Sequence, residues 1–311
     1  MPPFQRILVI INPKSGQRRT HRVLRTIERY LQDHKLDFTI RKTEQASDAE
    51  NWARAARAEG YDLLVVAGGD GTIREACDGL MRSQSQIPLA QIPIGTANIT
   101  ARALSIPTLD TRKALDLIMT GKVQDFDVGY LPNHDRYFTF VAGAGYDAHL
   151  IHDTTRELKK ALGFFAYVAT GVKHFFKIRP VRVTLEVDDE VHHIKAHTVM
   201  AINIGSIANI QWSIGPNIDP HDGKLNIIVL SSRTLMGSLI VLFKIITRHY
   251  HGFSALRHMA GQRIRVSAEP PLPIQIDGEA LGTTPFLVEV IPRAMQFVVP
   301  IDYVVPIDYL S

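Results

Sequence analysis

Leu63-Leu64-Val65-Val66-Ala67-Gly68-Gly69-Asp70-Gly71-Thr72-Ile73-Arg74-Glu75 is an apolar run that ends in a glycine-rich turn and opens a helical pattern. Glycines let the backbone approach a ligand closely, and the N–H groups and positive dipole end of a following helix favour phosphate. Asp70 among phosphates would repel them unless its carboxylate holds a divalent cation or takes a proton from an attacking hydroxyl. The stretch therefore points to phosphoryl transfer. Asp and Gly are also ordinary turn residues. Three glycines around one Asp, directly after a five-residue apolar run, make the more specific pattern. Thr72 and Glu75 have the Thr-x-x-Glu spacing of a capping box, which starts the helix at Ile73 with Thr72 as its cap.

Working outward, strand and helix signals alternate through the first 130 residues. Ile7 to Ile11, Phe38 to Arg41, Leu63 to Ala67 and Leu89 to Pro93 read as strands. Arg18 to His34 reads as an amphipathic helix with Val23, Leu24, Ile27, Tyr30 and Leu31 on one face. Ala46 to Glu59 and Ile73 to Arg82 read as further helices. Repeated β-α units predict a parallel sheet with ligands at its carboxyl edge. Three loops reach that edge: Asn12-Pro13-Lys14-Ser15-Gly16, Gly68 to Thr72, and Ile94-Gly95-Thr96-Ala97-Asn98. The first offers Lys14 and Ser15 as donors but lacks P-loop spacing. The third offers an uncharged hydroxyl and amide, Thr96 and Asn98, although an Asn in that place also reads as a helix cap.

From about Val128 the pattern turns to short alternating strands: Tyr137 to Val141, Val181 to Val187, Thr198 to Ile204, Leu225 to Leu230, Arg263 to Ala268 and Leu287 to Val290. Turns such as Asp188-Asp189-Glu190 and Pro220-His221-Asp222-Gly223 separate them, as in an antiparallel domain. Two helices are expected within it, Glu157 to Lys177 and Leu235 to His249. Asp277-Gly278-Glu279 follows Ile274-Gln275-Ile276 and reads as a hairpin turn, meaningful for catalysis only if it meets Asp70 across a cleft. Gly143-Ala144-Gly145-Tyr146-Asp147-Ala148 weakly matches a dinucleotide fingerprint, without the acidic residue that fingerprint needs downstream. His192, His193 and His197 read as solvated hairpin positions. A hexamer near Val299 repeats at Val305 with no physical reason that the sequence supplies.

At 311 residues two domains are the default, and 45% apolar with 21% charged residues describes an ordinary globular chain. A net charge of +4 and a pI near 9.1 suit anionic partners without arguing for nucleic acid. The single cysteine, Cys77, excludes an internal disulfide and fits a reducing cytoplasm. No secretory leader is expected at Met1, and the apolar segment Leu235 to Ile246 is too short to span a bilayer.

Taken together, Asn12 to Gly16, Gly68 to Thr72, Pro93 to Asn98, Ala142 to Ala148, Asp222-Gly223-Lys224-Leu225 and Asp277-Gly278-Glu279 resemble the diacylglycerol kinase catalytic family, among its bacterial lipid kinases related to sphingosine kinases. The resemblance implies a fold of α/β plus all-β class: an N-terminal α/β domain of the phosphofructokinase and NAD kinase type, a C-terminal antiparallel β-sandwich, and nucleotide in the cleft between them. Residues 1–128 would then bind nucleotide, with a tail of about 294–311 packed back on them, and 129–293 would take the lipid. ATP and Mg²⁺ are the implied cofactors. Asn12, Lys14, Thr43, Gly68, Gly69, Asp70, Gly71, Thr72, Thr96 and Asn98 would line the ATP site. Glu279 would accept the proton beside Asp70 and Asp277. A structural Mg²⁺ site maps to the Asp222 side chain and the carbonyls of Asp219 and Lys224. Ile99 and Asn226 depart from the family's acidic residues at those places. The expected partners are ATP and a lipid met at a membrane surface through the aromatic and basic segment Glu157 to Arg179; a homodimer is left open. An NAD kinase, a catalytically silent nucleotide or lipid binder, and a nicotinamide dehydrogenase are the rival readings.

Overall fold

A computed structural model describes residues 4–16, 20–145, 180–207, 212–213, 215–231 and 256–305. The expected helices at 157–177 and 235–249, the 146–148 end of the fingerprint and the second copy of the hexamer after Val305 lie outside them. The chain divides into two compact units: one takes the chain to Phe126 and includes Arg293–Val305, the other takes Asp127–Ser206 and Gln211–Pro292.

In the first unit, strands β1 (Arg6–Ile11), β2 (Asp37–Lys42), β3 (Leu63–Gly68) and β4 (Leu89–Pro93) form a parallel sheet in the order β2-β1-β3-β4. β3 and β4 are buried along their whole length, and β1 from Ile7 onward, which is why β1 and β3 read as unbroken apolar runs and β4 as one interrupted only by the buried Gln91. Helix Thr20–Asp33 buries Val23, Ile27, Tyr30 and Leu31. Helices Asp48–Ala56 and Asp70–Arg82 pack closely through Ala49, Ala53, Ala56 and Gly79, where an added Cβ would meet Glu50 O and Ala53.

β5 (Lys122–Leu131) pairs β6 (Arg136–Phe138), and β11 (Ser206–Ile207) pairs β12 (Trp212–Ser213). In the second unit two antiparallel sheets enclose one core. β8 (Val181–Val187), β9 (Glu190–Ala196), β15 (Arg263–Glu269) and the start of the long strand β18 (Phe286–Val299) form one sheet. The other runs β14 (Leu256–Gly261), β13 (Leu225–Leu230), β10 (Thr198–Ile202), β7 (Val141–Gly145), β16 (Pro273–Ile276) and β17 (Glu279–Thr283), in that order. Leu185, Val266, Phe286 and Val288 from the first meet Ala144, Val199, Leu225, Ile227 and Ile276 from the second. This is a β-sandwich.

Several details differ from the sequence reading. The helix after the glycine turn starts at Asp70, with Gly69 in the cap position and no side-chain cap, so Thr72 and Glu75 do not form a capping box. The strand expected over Tyr137 to Val141 is broken at Thr139 and Phe140, whose amides are drawn to another partner described below. Gly143, Ala144 and Gly145 sit inside a central strand rather than in a turn opening a helix, which removes the dinucleotide fingerprint. His197 is buried at 4% exposure, not solvated.

Candidate active site

All the expected nucleotide residues lie at the carboxyl ends of the four parallel strands. Asn12 follows β1, Thr43 follows β2, Gly68 closes β3 with Gly69 to Thr72 after it, and Thr96 and Asn98 follow β4. The order β2-β1-β3 reverses direction between β1 and β3, the place where open α/β sheets take ligands.

The loops there interlock. Asn12 Nδ2 donates to Thr72 Oγ1 at 2.9 Å, and Asn12 Oδ1 accepts from Lys14 N–H at 2.9 Å. Thr43 N–H donates to Ile11 O at 2.9 Å, and Ile94 N–H to Gly68 O at 3.1 Å. A Cβ on Gly95 would fall 2.6 Å from Gly69 Cα and 2.8 Å from Asn98 Oδ1, so the second and third loops touch backbone to backbone. Beside Gly71 an added Cβ would meet nothing within 4 Å. Thr96 is exposed. Lys14 is exposed too, and its Nζ donates to Glu44 O at 3.0 Å instead of standing free over the turn.

Asn98 holds a left-handed conformation (φ 49°, ψ 50°) ahead of the short helix Ile99–Ala103, without capping it by its side chain. Its Nδ2 donates to Gly95 O at 2.9 Å, while its buried Oδ1 accepts from nothing among the described residues. The cap of that helix comes from Asp70, whose Oδ1 accepts from Thr100 N–H at 3.0 Å and Thr100 Oγ1 at 3.3 Å. Burial pushes the Asp70 carboxyl above its usual range, and the Thr100 donors pull partly against that. Glu75 is raised by burial in the same way, opposed by the Ser47 main-chain N–H. A cradle of touching glycines, a helix start without a side-chain cap, an orphaned buried amide oxygen and open space at Gly71 fit the phosphates and polar edge of a nucleotide.

In the second unit, Asp277 (φ 43°) and Gly278 (φ 87°) make the two-residue left-handed turn between β16 and β17. Glu279 opens β17 and is exposed. The Asp277 carboxylate is fully engaged: Oδ2 accepts from Thr139 N–H (2.8 Å) and Thr139 Oγ1 (3.3 Å), and Oδ1 from Phe140 N–H (3.0 Å) and Val141 N–H (2.9 Å). Burial raises its pKa against those donors. Asp277 is thus a staple, not a free base. In the loop ahead of β13, Asp222 Oδ1 accepts from Lys224 N–H at 2.9 Å, and Asp219 Oδ1 lies 2.8 Å from His221 Nδ1. Burial, then the like charges of Asp219 and Asp127, push Asp222 upward. Among the described residues no group of three or more His, Cys, Asp or Glu side chains forms a metal cluster. The loop's negative charge and oxygen donors suit a hard cation such as Mg²⁺. Asn226, on β13 beyond this loop, has its Oδ1 2.9 Å from His258 Nε2.

The diacylglycerol kinase catalytic domain model matches residues 6–131, and the YegS C-terminal NAD kinase beta sandwich-like domain model matches 140–299, half the chain by itself. The chain belongs to the diacylglycerol kinase family. It is a lipid kinase, a phosphotransferase. The kinase is similar to the diacylglycerol kinase of Bacillus subtilis (27% identity; 96% of this chain, 97% of that one). It is also similar to that of Staphylococcus saprophyticus (29%; 90% and 91%). A crystal structure of a diacylglycerol kinase from Bacillus anthracis superposes with TM-score 0.81 at 26% identity, over 96% of this chain and 98% of that one.

Sequence reading missed Thr100, Thr139, Asp127 and Asn203, polar partners that hold the named motifs. A buried position for Thr139 or Asn203 inside strand-like sequence is the one signal that existed, and it needs the fold to be noticed.

Proposed function

We propose that this kinase transfers the γ-phosphate of ATP to a hydroxyl of a diacylglycerol-like or sphingoid lipid, with Mg²⁺, at the cytoplasmic membrane surface. The observation that carries the reading is the glycine cradle at the carboxyl edge, where Gly69 and Gly95 touch and Asn98 Oδ1 is left without a donor. When bound, ATP supplies the phosphoryl group and Mg²⁺ neutralises charge on its oxygens. The chain's share is to seat the phosphates against the backbone at Gly69 to Thr72, and to offer Asn12, Thr43, Thr96 and Asn98 as uncharged partners. Lys14 contributes positive charge at the rim.

Glu279, exposed at the start of a strand, is the group proposed to accept the hydroxyl proton, held in place by the stapled Asp277 beside it. Asp70, tied to Thr100, is proposed to sit next to the reacting phosphate. The Asp222 carboxylate and the carbonyls of Asp219 and Lys224 are proposed to hold a structural Mg²⁺. In this reading residues 1–128, with the tail from about 294, serve the nucleotide, and 129–293 serve the lipid. No helix among the described residues is long and apolar enough to cross a membrane, so the substrate would be reached from the surface.

The test is transfer of labelled γ-phosphate from ATP with Mg²⁺ into a panel of lipids in mixed micelles, run beside NAD and a Glu279→Ala variant. Product in a lipid lane, lost in the variant, supports the reading. Label in NAD alone overturns it.

A further inference from the structure

The turn that carries Glu279 and the loop that carries Asp222 lie far apart in sequence, yet one side chain is bonded toward both. Asn203 follows directly on β10 and is fully buried. Its Nδ2 donates to two main-chain carbonyls, Asp127 O at 2.7 Å and Thr139 O at 3.0 Å. Its main-chain N–H donates to Phe140 O at 2.8 Å. From Thr139 and Phe140 the path continues through their amides to the Asp277 carboxylate. From Asp127 it continues through its N–H to Pro220 O at 2.8 Å and through its Oδ2, which accepts from Gly223 N–H at 2.7 Å. Residues 139–140 are therefore held on the carbonyl side by Asn203 and on the amide side by Asp277. Asp127, which fastens the 220–223 loop, hangs on the same amide nitrogen.

The chemistry of the position is specific. A primary amide offers two N–H donors from one atom, and Asn203 uses both, while its Oδ1 accepts from nothing among the described residues. The side chain is kept for its donor end. Serine could serve one carbonyl, and leucine, of similar size, would leave both buried and unpaired. The plain alternative is a buried amide that merely satisfies backbone for stability. Against it, both carbonyls belong to the segments that fix Asp277 and Gly223, and neither belongs to the strands paired with β10.

We propose that Asn203 is a positioning residue: it holds the 219–224 loop and the Asp277-Gly278-Glu279 turn in one fixed arrangement, so that cation binding at the loop and turnover at Glu279 depend on each other. This rests on the roles assigned above to Asp222 and Glu279.

The experiment uses the full chain with Asn203→Ser and Asn203→Leu, beside Val199→Ala, a core position on the same strand buried at 1%. Measured are kcat, KM for ATP, and the Mg²⁺ concentration that half-maximally raises the thermal midpoint without nucleotide. Loss of one or two hydrogen bonds predicts a fall in kcat of roughly tenfold and a rise of similar size in that Mg²⁺ concentration. KM for ATP stays within about twofold, because its residues belong to the first unit, and Val199→Ala changes the midpoint alone. If Asn203→Leu does not fold, Asn203→Ser carries the test. Asn203 variants that lower the midpoint as Val199→Ala does, with kcat or the Mg²⁺ response unchanged, overturn the proposal. Glu279→Ala and Asp222→Ala run in parallel: wild-type turnover and Mg²⁺ response in those would overturn the site reading itself, a result separable from failure at Asn203.

Discussion

Gly71→Ala separates stability from nucleotide binding. Gly71 is the second residue of the helix Asp70–Arg82, its φ is not positive, and a Cβ there meets nothing within 4 Å. Nothing in the protein resists the methyl. Alanine loses less backbone entropy on folding than glycine, so the substitution is expected to stabilise by about 0.4–1 kcal/mol. In a unit of this size that raises the thermal midpoint by roughly 1–4 °C. The open space beside Gly71 is, however, where the proposed phosphates approach the backbone. A methyl forced into that contact costs on the order of 1–3 kcal/mol of overpacking, or about a five- to 150-fold weaker Kd for ATP. Thermal melts without nucleotide and calorimetric titration with ATP read the two effects independently. A raised midpoint with an ATP Kd within about twofold of wild type would refute the placement of phosphate at Gly71. A lowered midpoint would refute the premise that the space is open.

Gly95→Ala is the opposite case: its Cβ would lie 2.6 Å from Gly69 Cα, which cannot rotate away, so stability falls by roughly 1–3 kcal/mol in urea unfolding and ATP binding weakens with it. Asp277→Ala strips the acceptor from three main-chain amides and one hydroxyl, and each unpaired buried group costs about 1–3 kcal/mol. Urea unfolding should show a loss at the high end for single substitutions, with a smaller loss for Asp277→Asn. Asp70→Asn reports on pH. Because burial raises the Asp70 pKa, the folded state binds that proton more tightly than the unfolded one, so the contribution is full below about pH 3.9 and is lost as pH rises through the higher folded value. The variant lacks that loss, and its midpoint should gain on wild type across that rise and stay above it at neutral pH while activity collapses. Parallel midpoint-against-pH curves for the two proteins would refute it.

The strands that build the ligand edge were legible because β1, β3 and β4 are buried on both faces and carry no competing pattern. Element ends were less legible, for reasons outside the local sequence. The helix start at Asp70 instead of Ile73 follows from where the Asp70 carboxylate goes, thirty residues on, to Thr100. The break at Thr139 and Phe140 follows from Asp277, whose carboxylate takes amides that a strand would have paired. Leu287 to Val290 read as a short strand, yet pairing with Arg263–Val266 at one end and with Leu89 at the other carries the strand from Phe286 to Val299. The motifs themselves are contiguous, so residue spacing reveals them. The bonds between Asn12 and Thr72, Asp127 and Gly223, or Asn203 and Thr139 join segments 60, 96 and 64 residues apart, and no periodicity encodes such pairs.

The three aspartates of the motifs share one electrostatic problem and solve it differently. Burial is the largest influence raising Asp70, Asp222 and Asp277. Asp277 answers it with four donors from residues 139–141, which leaves its carboxylate no capacity to take part in proton transfer and every capacity to fix the neighbouring Glu279. Asp70 has the Thr100 N–H and hydroxyl on Oδ1, with the main-chain N–H groups of Ile99 and Asp70 adding to them, which together orient the carboxylate. Asp222 has one main-chain donor, from Lys224, and two like-charged neighbours that make its position worse. Asp70 and Asp277 thus each draw on several donors, whereas Asp222 has one, so the least compensated of the three carboxylates is the one to which the proposed function gives a structural Mg²⁺.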